Sequence, residues 1–304
     1  MDFSNLIRNP RSSRSREALA GYLFAAPWLI GLAVFQIGPL LASFAYSFTD
    51  YPIIAKPKFI GMDNYSRMLG DKLFLTSIRV TLTYTVFSVL IYVVASLFLA
   101  MLCNRSGQGV GLVRLLVFLP SLIPPFAAAV LWGWMFNTDF GIVNYVLTSI
   151  GLPQQGFFQS PSQALPLTII LGFWGMGSAF LIYLSGLQSV PTDLYDAIVI
   201  DGAGLLRKFW HITLPMLSPV ILFNTIIGIV ISFQVFDLAW LLTRGGPANS
   251  TLVWVLYIYR TAFEQFEMGY SSALAVVLFM TVALTAGVIF RTSRWWVYYE
   301  AKID

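Results

Sequence analysis

Charge is so sparse along this chain that the gaps between ionisable residues outline its elements. Glu17 and Asp50 enclose 32 uncharged residues, Arg79 and Arg105 enclose 25, and Arg114 and Asp139 enclose 24. Further on, Asp139 to Asp193 encloses 53, Lys208 to Asp237 encloses 28, and Glu267 to Arg291 encloses 23. About 20 apolar residues cross a bilayer core as a helix, so each gap has room for one crossing. The longest gap has room for two. Its first half, however, carries Asn144, Gly151, Pro153, Gln154, Gln155, Gly156, Gln159, Pro161 and Gln163, which are loop and turn signals. Only 165–187 is continuously apolar there, so one crossing is assigned, and 140–163 becomes an external loop with a short surface helix near 143–150.

The pattern therefore predicts an all-α, polytopic membrane protein with six transmembrane helices, at about 19–48, 80–103, 113–136, 165–187, 217–241 and 268–290. They fall in a transmembrane region over 18–295, between an N-terminal tail (1–17) and a C-terminal tail (296–304), with a loop at 188–216. The gap between Arg244 and Arg260 holds only 15 residues, too few for an untilted crossing. It reads as an interfacial helix over 253–262, with Trp254, Tyr257 and Tyr259 at headgroup level.

Composition agrees with this reading and narrows the chemistry. Only 11% of residues are charged and 58% are hydrophobic, against about 25% charged in a soluble domain, which excludes soluble and disordered classes. A single cysteine, Cys103, excludes disulfide frameworks and multi-thiolate metal sites, and a single histidine, His211, excludes multi-histidine ones. The net charge of +4 is scattered between apolar runs, which fits membrane orientation and not nucleic acid. With the N-terminus inside, inner segments hold eleven Lys and Arg and outer segments seven, so both termini are expected in the cytoplasm. The cations at Lys56, Lys58, Arg67, Lys72 and Arg79 run against that bias. The first uncharged run is too long for the core of a cleaved signal peptide, so it is expected to remain as an anchor and first span.

An energy source for transport is missing from the motifs. The nearest glycine-rich stretch, Gly172-Phe173-Trp174-Gly175-Met176-Gly177-Ser178, lacks the lysine of a phosphate-binding loop and lies inside a span. Small residues there suit close helix packing. Asp237 is the single ionisable residue that falls within a span, thin equipment for an ion-coupled carrier. No paired carboxylates or Ser/His pair suggests an enzyme.

The informative segment is the inner loop from Pro191 to Pro215. Thr192 is placed to cap a short helix, with Asp193 at its positive end. Gly202 is placed to stop that helix in a left-handed conformation, and Leu205 to Ile212 form a second short helix that ends by Pro215. Such a knuckle is long for a plain connection and exposes apolar side chains. It either docks a cytosolic partner or packs on the membrane surface.

Asp196-Ala197 through Asp201-Gly202-Ala203, followed by Phe209, Ile212, Leu214 and Pro215, resembles the EAA loop of ABC importer permeases. Further stretches are similar to the MalF-like carbohydrate-uptake subgroup: Phe59-Ile60-Gly61-Met62-Asp63-Asn64-Tyr65, Leu119-Pro120, Phe233-Gln234-Val235-Phe236-Asp237 and Leu242-Thr243-Arg244-Gly245-Gly246-Pro247. So are Ala262-Phe263 and Gly269-Tyr270. Asp196 stands where the family usually has glutamate, and Ile198 where it has a second alanine. The resemblance implies the type I importer permease fold and a subunit of an ATP-driven, solute-binding-protein-dependent carbohydrate importer in a bacterial or archaeal inner membrane. It also implies a second permease chain, an ATPase dimer that binds ATP and Mg, and an extracytoplasmic binding protein; the chain itself would hold no cofactor and be no enzyme. A self-sufficient ion-coupled carrier or channel is the alternative, and a membrane scaffold a third.

Elsewhere the residues leave two readings each. Pro120, Pro124 and Pro125 break span three, as a kink or as part of a path. Asn224, Gln234 and Asp237 line a cavity or bond between helices. Trp174 and Tyr183 stack on a sugar or pack a core. The Gly245-Gly246-Pro247 turn touches a binding protein or is only a turn.

Overall fold

The computed structural model describes residues 10–298 except 106 and 201, with side chains described from Glu17 onward. Asp201 and the outermost tail residues lie outside the described set. Among the described residues, four helices are long and apolar enough to cross a membrane: Glu17–Tyr46, Lys72–Cys103, Leu205–Phe233 and Met268–Trp295. Two more candidate spans are broken: Val110–Leu122 with Pro125–Met135, bent by 97°, and Ala164–Gly175 with Gly177–Ser189, bent by 51°. In chain order these are spans one to six. A short helix, Ile142–Ser149, lies in the expected external loop.

The bounds shift where helix geometry outruns the apolar pattern. Span two starts at Lys72, before Arg79, because the Asp71 carboxylate accepts hydrogen bonds from the N–H of Leu73 (2.9 Å) and Phe74 (3.2 Å) and caps the helix there. Span five starts at Leu205 and runs through Pro215. The segment expected to be a separate second helix of the knuckle is instead the start of the span, joined through a π turn over Phe209–Thr213. Pro215 does not stop it, because it follows the π turn directly, at the start of the regular α-helical stretch Leu214–Phe233, and a π turn is where a helix accommodates a missing N–H donor. The same span ends at Phe233, short of the expected 241; the backbone turns at Gln234 and a separate π turn spans Ala239–Thr243.

The 253–262 segment is a correction. Trp254–Tyr259 is helical, but Trp254 and Tyr257 are buried between spans two and six and not exposed on the surface, while Tyr259 is half-buried. The Thr81 hydroxyl accepts the Trp254 N–H at 2.8 Å, and Phe74 meets the Trp254 indole edge-on at 5.2 Å. This helix is the centre of one apolar core; the other, around Phe180, Tyr183, Leu217 and Ala100, joins spans two, four and five. Large apolar side chains such as Phe24, Trp28, Leu90 and Leu284 face outward, as lipid-facing helices require.

At the Lys72 end a polar hub ties these elements together. Asp71 accepts the hydroxyls of Tyr270 (2.7 Å) and Tyr257. Burial pushes the Asp71 carboxyl up, but the tyrosine and backbone hydrogen bonds outweigh it and hold the carboxyl below its ordinary range. Arg67 lies 4.1 Å over the Tyr270 ring and pairs with Glu267 at 2.8 Å. The loop before it is closed by Asn64, whose amide donates to the carbonyls of Ser47 and Thr49, both at 2.9 Å. A two-stranded ribbon, Thr49–Asp50 against Lys58–Phe59, completes this cap. Gly269 admits no side chain: a Cβ there would sit 1.9 Å from the Thr49 carbonyl oxygen.

Candidate functional site

Both broken spans break beside the middle of span two, and together they leave a cavity of about 450 Å³. Span two contributes Tyr84, Ser88 and Tyr92, one helical face at i, i+4 and i+8. Span three contributes Pro120, Ser121, Pro125 and Trp132, and span four contributes Gly172, Trp174 and Ser178. Gly228 and Ser232 of span five, with Gln234 and Asp237 just beyond its end, close the ring. Glycine makes the approach possible. A Cβ at Gly177 would stand 2.7 Å from the Ser121 hydroxyl oxygen, and one at Gly172 would stand 2.6 Å from the Tyr84 hydroxyl. The glycine-rich stretch thus packs helices closely, as its composition suggested.

Pro120, Ser121 and Pro125 at one break and Phe173, Trp174 and Gly175 at the other line the cavity, so the irregular backbone of both spans borders it, as irregular backbone at membrane depth must border protein or a wet cavity. Trp174 meets Trp132 edge-on, with ring centroids 4.8 Å apart. Asp237 and Gln234 are exposed on the cavity wall, and their side chains make no hydrogen bond or ion pair among the described residues. The lining is aromatic and hydroxylated, with one carboxylate and no Lys, Arg or His.

Of the path candidates read from sequence, Trp174, Gln234 and Asp237 meet on this wall, whereas Asn224 and Tyr183 do not. Asn224 is buried and returns its amide to the Val220 carbonyl of its own helix at 3.0 Å. Tyr183 is fully buried in the core of spans two, four and five. Tyr84, Ser88, Tyr92 and Trp132 escaped the sequence reading. For the first three the signal was a polar-aromatic stripe at helical spacing within span two, hidden by the apolar residues around it.

At the Cys103 end the chain forms the expected knuckle. Thr192–Ile200 is a helix, and Gly202 follows in the left-handed region at φ +74°. The Ala203 N–H reaches back to the Ile198 carbonyl at 3.1 Å and the Gly202 N–H to Val199 at 2.9 Å, the paired bonds of a Schellman stop. The Tyr195 hydroxyl bonds to Thr213 at 3.0 Å and pins the knuckle helix to the start of span five. Ala203 and Ile212 are buried in that junction, and Phe209, Leu214 and Pro215 are half-buried. Asp196 and Ala197 are exposed. Ile200 (86% exposed), Leu205 (78%) and Leu206 (73%) make an uncovered apolar surface beside them. His211 is exposed, with Nδ1 3.0 Å from the Arg207 carbonyl, a local contact and no catalytic constellation.

The loops at the Lys72 end pack onto one another. Arg244 and Gly245 are both at positive φ, and Gly246-Pro247 is a cis peptide. The Thr251 hydroxyl holds the Gly246 carbonyl at 2.8 Å, and Arg260 donates to the Arg244 carbonyl. Gly133 of span three packs against Leu242, where a Cβ would be 3.6 Å from its Cδ2.

Comparison with known proteins matches this architecture. Residues 92–293 match a family described as the binding-protein-dependent transport system inner membrane component. The chain is 38% identical over 304 residues to a probable ABC transporter permease protein, YesP, of Bacillus subtilis, with 98% of each covered. It is 32% identical to the trehalose/maltose transport system permease protein MalF of Thermococcus litoralis, over 92% of this chain and 95% of that one. A chain from the crystal structure of a bacterial ABC transporter that imports the acidic polysaccharide alginate superposes with a TM-score of 0.84 at 24% identity. The match covers 94% of this chain and 99% of that one, so the fold is shared.

Proposed function

This chain belongs to the family of inner-membrane components of binding-protein-dependent transport systems, and from that premise we propose how its parts divide the work of import. It is a multi-pass permease subunit of an ABC importer, a transport subunit and not an enzyme. Its substrate is a carbohydrate or carbohydrate derivative, in keeping with its relatives. Both termini and the knuckle face the cytoplasm. There the Thr192–Ile200 helix and its Schellman stop seat in a nucleotide-binding subunit, where ATP and Mg are bound and hydrolysed. Asp196, Ala197, Gly202 and Ala203 form or shape the docking surface, with Asp201 between them in sequence. Phe209, Ile212, Leu214 and Pro215 fasten it to span five.

The observation that carries this reading is the junction itself. The knuckle is rigid in its turn, hydrogen-bonded to the root of a span, and bare on its apolar face. A lever needs those three properties: closure of the ATPase moves the knuckle, and the continuous helix Leu205–Phe233 carries the motion to the cavity wall at Gly228 and Ser232. The mid-depth cavity is this chain's half of the route, with Trp174, Gln234 and Asp237 on its wall. A second permease chain supplies the other half, and an extracytoplasmic binding protein delivers the solute.

Co-purification of the tagged chain from its native membrane, with mass spectrometry of what accompanies it, tests the proposal. A second permease and an ATPase that both leave when Asp196 and Ala197 are replaced by arginine support it. A chain recovered alone and monodisperse, carrying out transport in proteoliposomes without ATP, overturns it in favour of a self-sufficient carrier.

A further inference from the structure

Five cations that run against the inward charge bias, Lys56, Lys58, Arg67, Lys72 and Arg79, fall at the Lys72 end of the bundle, on the ribbon, the cap helix Asp63–Gly70 and the start of span two. Segment 50–79 sets only three carboxylates against them, and one of these, Asp71, is already committed to two phenols. Arg67 is answered by Glu267 at 2.8 Å. Lys72 and Arg79 are exposed, and neither side chain makes a hydrogen bond or ion pair among the described residues. They are seven residues apart, so they stand on one stripe of span two, about 10 Å apart along its axis.

A second stripe of that helix, Phe74, Ile78 and Leu82, walls an apolar groove of about 440 Å³. Val277 of span six and the buried Trp254 line it with them, and Met68 of the cap helix lines it at the Lys72 end. From Phe74 to Leu82 the wall runs about 12 Å along the span. Leu69 (81% exposed) and Leu82 (44%) rim the groove, which therefore opens on the outward, lipid-facing surface. Arg79 lies one turn from Leu82 on the same helix, and the Cα–Cβ bonds of a helix tilt toward its N-terminus, so Arg79 leans toward Lys72.

An outward-facing arginine two turns into a span must reach an anion or water, because its charge is costly in hydrocarbon. A carboxylate on a neighbouring span would itself need burying there. A phospholipid brings both halves of what this surface lacks: a phosphate at the bilayer edge and an apolar chain that lies along the span. We propose that the groove binds one anionic phospholipid, with an acyl chain against Phe74, Ile78, Leu82 and Val277 and its phosphate between Lys72 and Arg79. A zwitterionic headgroup carries its own ammonium and offers these two cations less net charge, so the site prefers an anionic one. The bound lipid bridges the cap helix and spans two and six. The proposal stands whether or not the importer reading does.

The test uses the full-length chain, with whatever subunits accompany it from its native membrane, in phosphatidylcholine nanodiscs. The probe is phosphatidylglycerol with a photoreactive diazirine midway along one acyl chain, and labelled peptides are mapped by mass spectrometry. The expected label concentrates on the peptides that hold Ile78 and Val277. Unlabelled phosphatidylglycerol displaces it at a lower mole fraction than phosphatidylethanolamine with the same chains. Lys72→Gln combined with Arg79→Gln raises the half-displacing fraction of phosphatidylglycerol about thirtyfold, at about fivefold per cation, whereas Lys72→Arg with Arg79→Lys retains the preference. The phosphatidylethanolamine value stays within twofold of wild type, which a folding defect would not spare. Equal displacement by the two headgroups in wild type, label spread evenly over all lipid-facing peptides, or a glutamine variant that keeps its preference overturns the proposal. Capture of a partner subunit in place of lipid by a photoreactive residue at Leu82 overturns it too, since the groove is then a protein interface.

Discussion

Replacing Asp71 by alanine should destabilise this protein more than any other single change at an exposed or half-exposed polar residue of the cap at the Lys72 end. The carboxylate performs two separate tasks. One oxygen caps span two through the N–H groups of Leu73 and Phe74. The other accepts the hydroxyls of Tyr257 and Tyr270, residues distant in sequence, on the buried helix and on span six. Loss of a cap costs about 0.5–2 kcal/mol. A hydrogen bond to a charged acceptor contributes about 1.5–3 kcal/mol, but both phenols share one partly hydrated oxygen, so about 2 kcal/mol is a fair figure for the pair. The sum is about 3 kcal/mol. At about 2–4 °C per kcal/mol for a chain somewhat smaller than this one, the apparent Tm of purified protein in detergent should fall by roughly 6–12 °C. Asp71→Asn keeps the capping oxygen and should recover about half of the loss. The neighbouring ion pair offers a control: Arg67 and Glu267 are 2.8 Å apart, but both side chains are substantially exposed. Such pairs contribute about 0–1 kcal/mol, so Glu267→Gln should shift Tm by less than about 4 °C. If Asp71→Ala melts with wild type, or Asn is as damaging as Ala, the hub does not hold this cap together as argued.

Four further outcomes follow from the same geometry. Because the folded Asp71 carboxyl is held below its ordinary value, its contribution is fully present above about pH 4 and is lost as pH falls through the lowered folded value; a pH series of melting curves should show this acid-side loss in wild type and not in Asp71→Asn. Gly202→Ala places a side chain at φ +74° with nothing within 4 Å of its Cβ, so it should cost only about 1 kcal/mol; Gly202→Asp adds bulk and charge on the docking face and should abolish uptake while membrane insertion, measured by fractionation, is unchanged. Tyr195→Phe removes the 3.0 Å bond to Thr213 and should lower uptake per ATP hydrolysed while leaving complex assembly intact on a sizing column. Gly269→Ala cannot be accommodated against the Thr49 carbonyl and should reduce the yield of folded protein severely, whereas Gly175→Ala, with open space around it, should not.

Much of this architecture was legible before any coordinate. Lipid solvates only helices whose apolar runs are long enough, so the gaps between charges located the crossings, and the knuckle was readable because Gly202 is a residue type that a left-handed helix stop selects. The same logic failed wherever a helix ignored its charges or an apolar segment ignored the bilayer. Lys72 and Arg79 lie inside span two because Asp71 caps the helix ahead of them, a local signal that the spacing of charges does not register. The Trp254–Tyr259 helix looked interfacial by its aromatic residues, yet it is a core element, since Thr81, Phe74 and Asp71 wait for it on another span.

The candidate site divides in the same way. Sequence alone determined that the chain is a membrane-embedded bundle without its own phosphate-binding motif, and that it presents a glycine-stopped knuckle between two spans. Those properties depend on residue type and local spacing. Only the tertiary structure decided that Trp174, Gln234 and Asp237 share a cavity while Asn224 and Tyr183 do not, and that Tyr84, Ser88, Tyr92 and Trp132 complete its wall. The reason is physical: which face of an apolar helix meets a neighbour is set by close glycine approaches and broken backbone in other spans, and inside a membrane the hydrophobic pattern that would mark a buried face is absent from all of them.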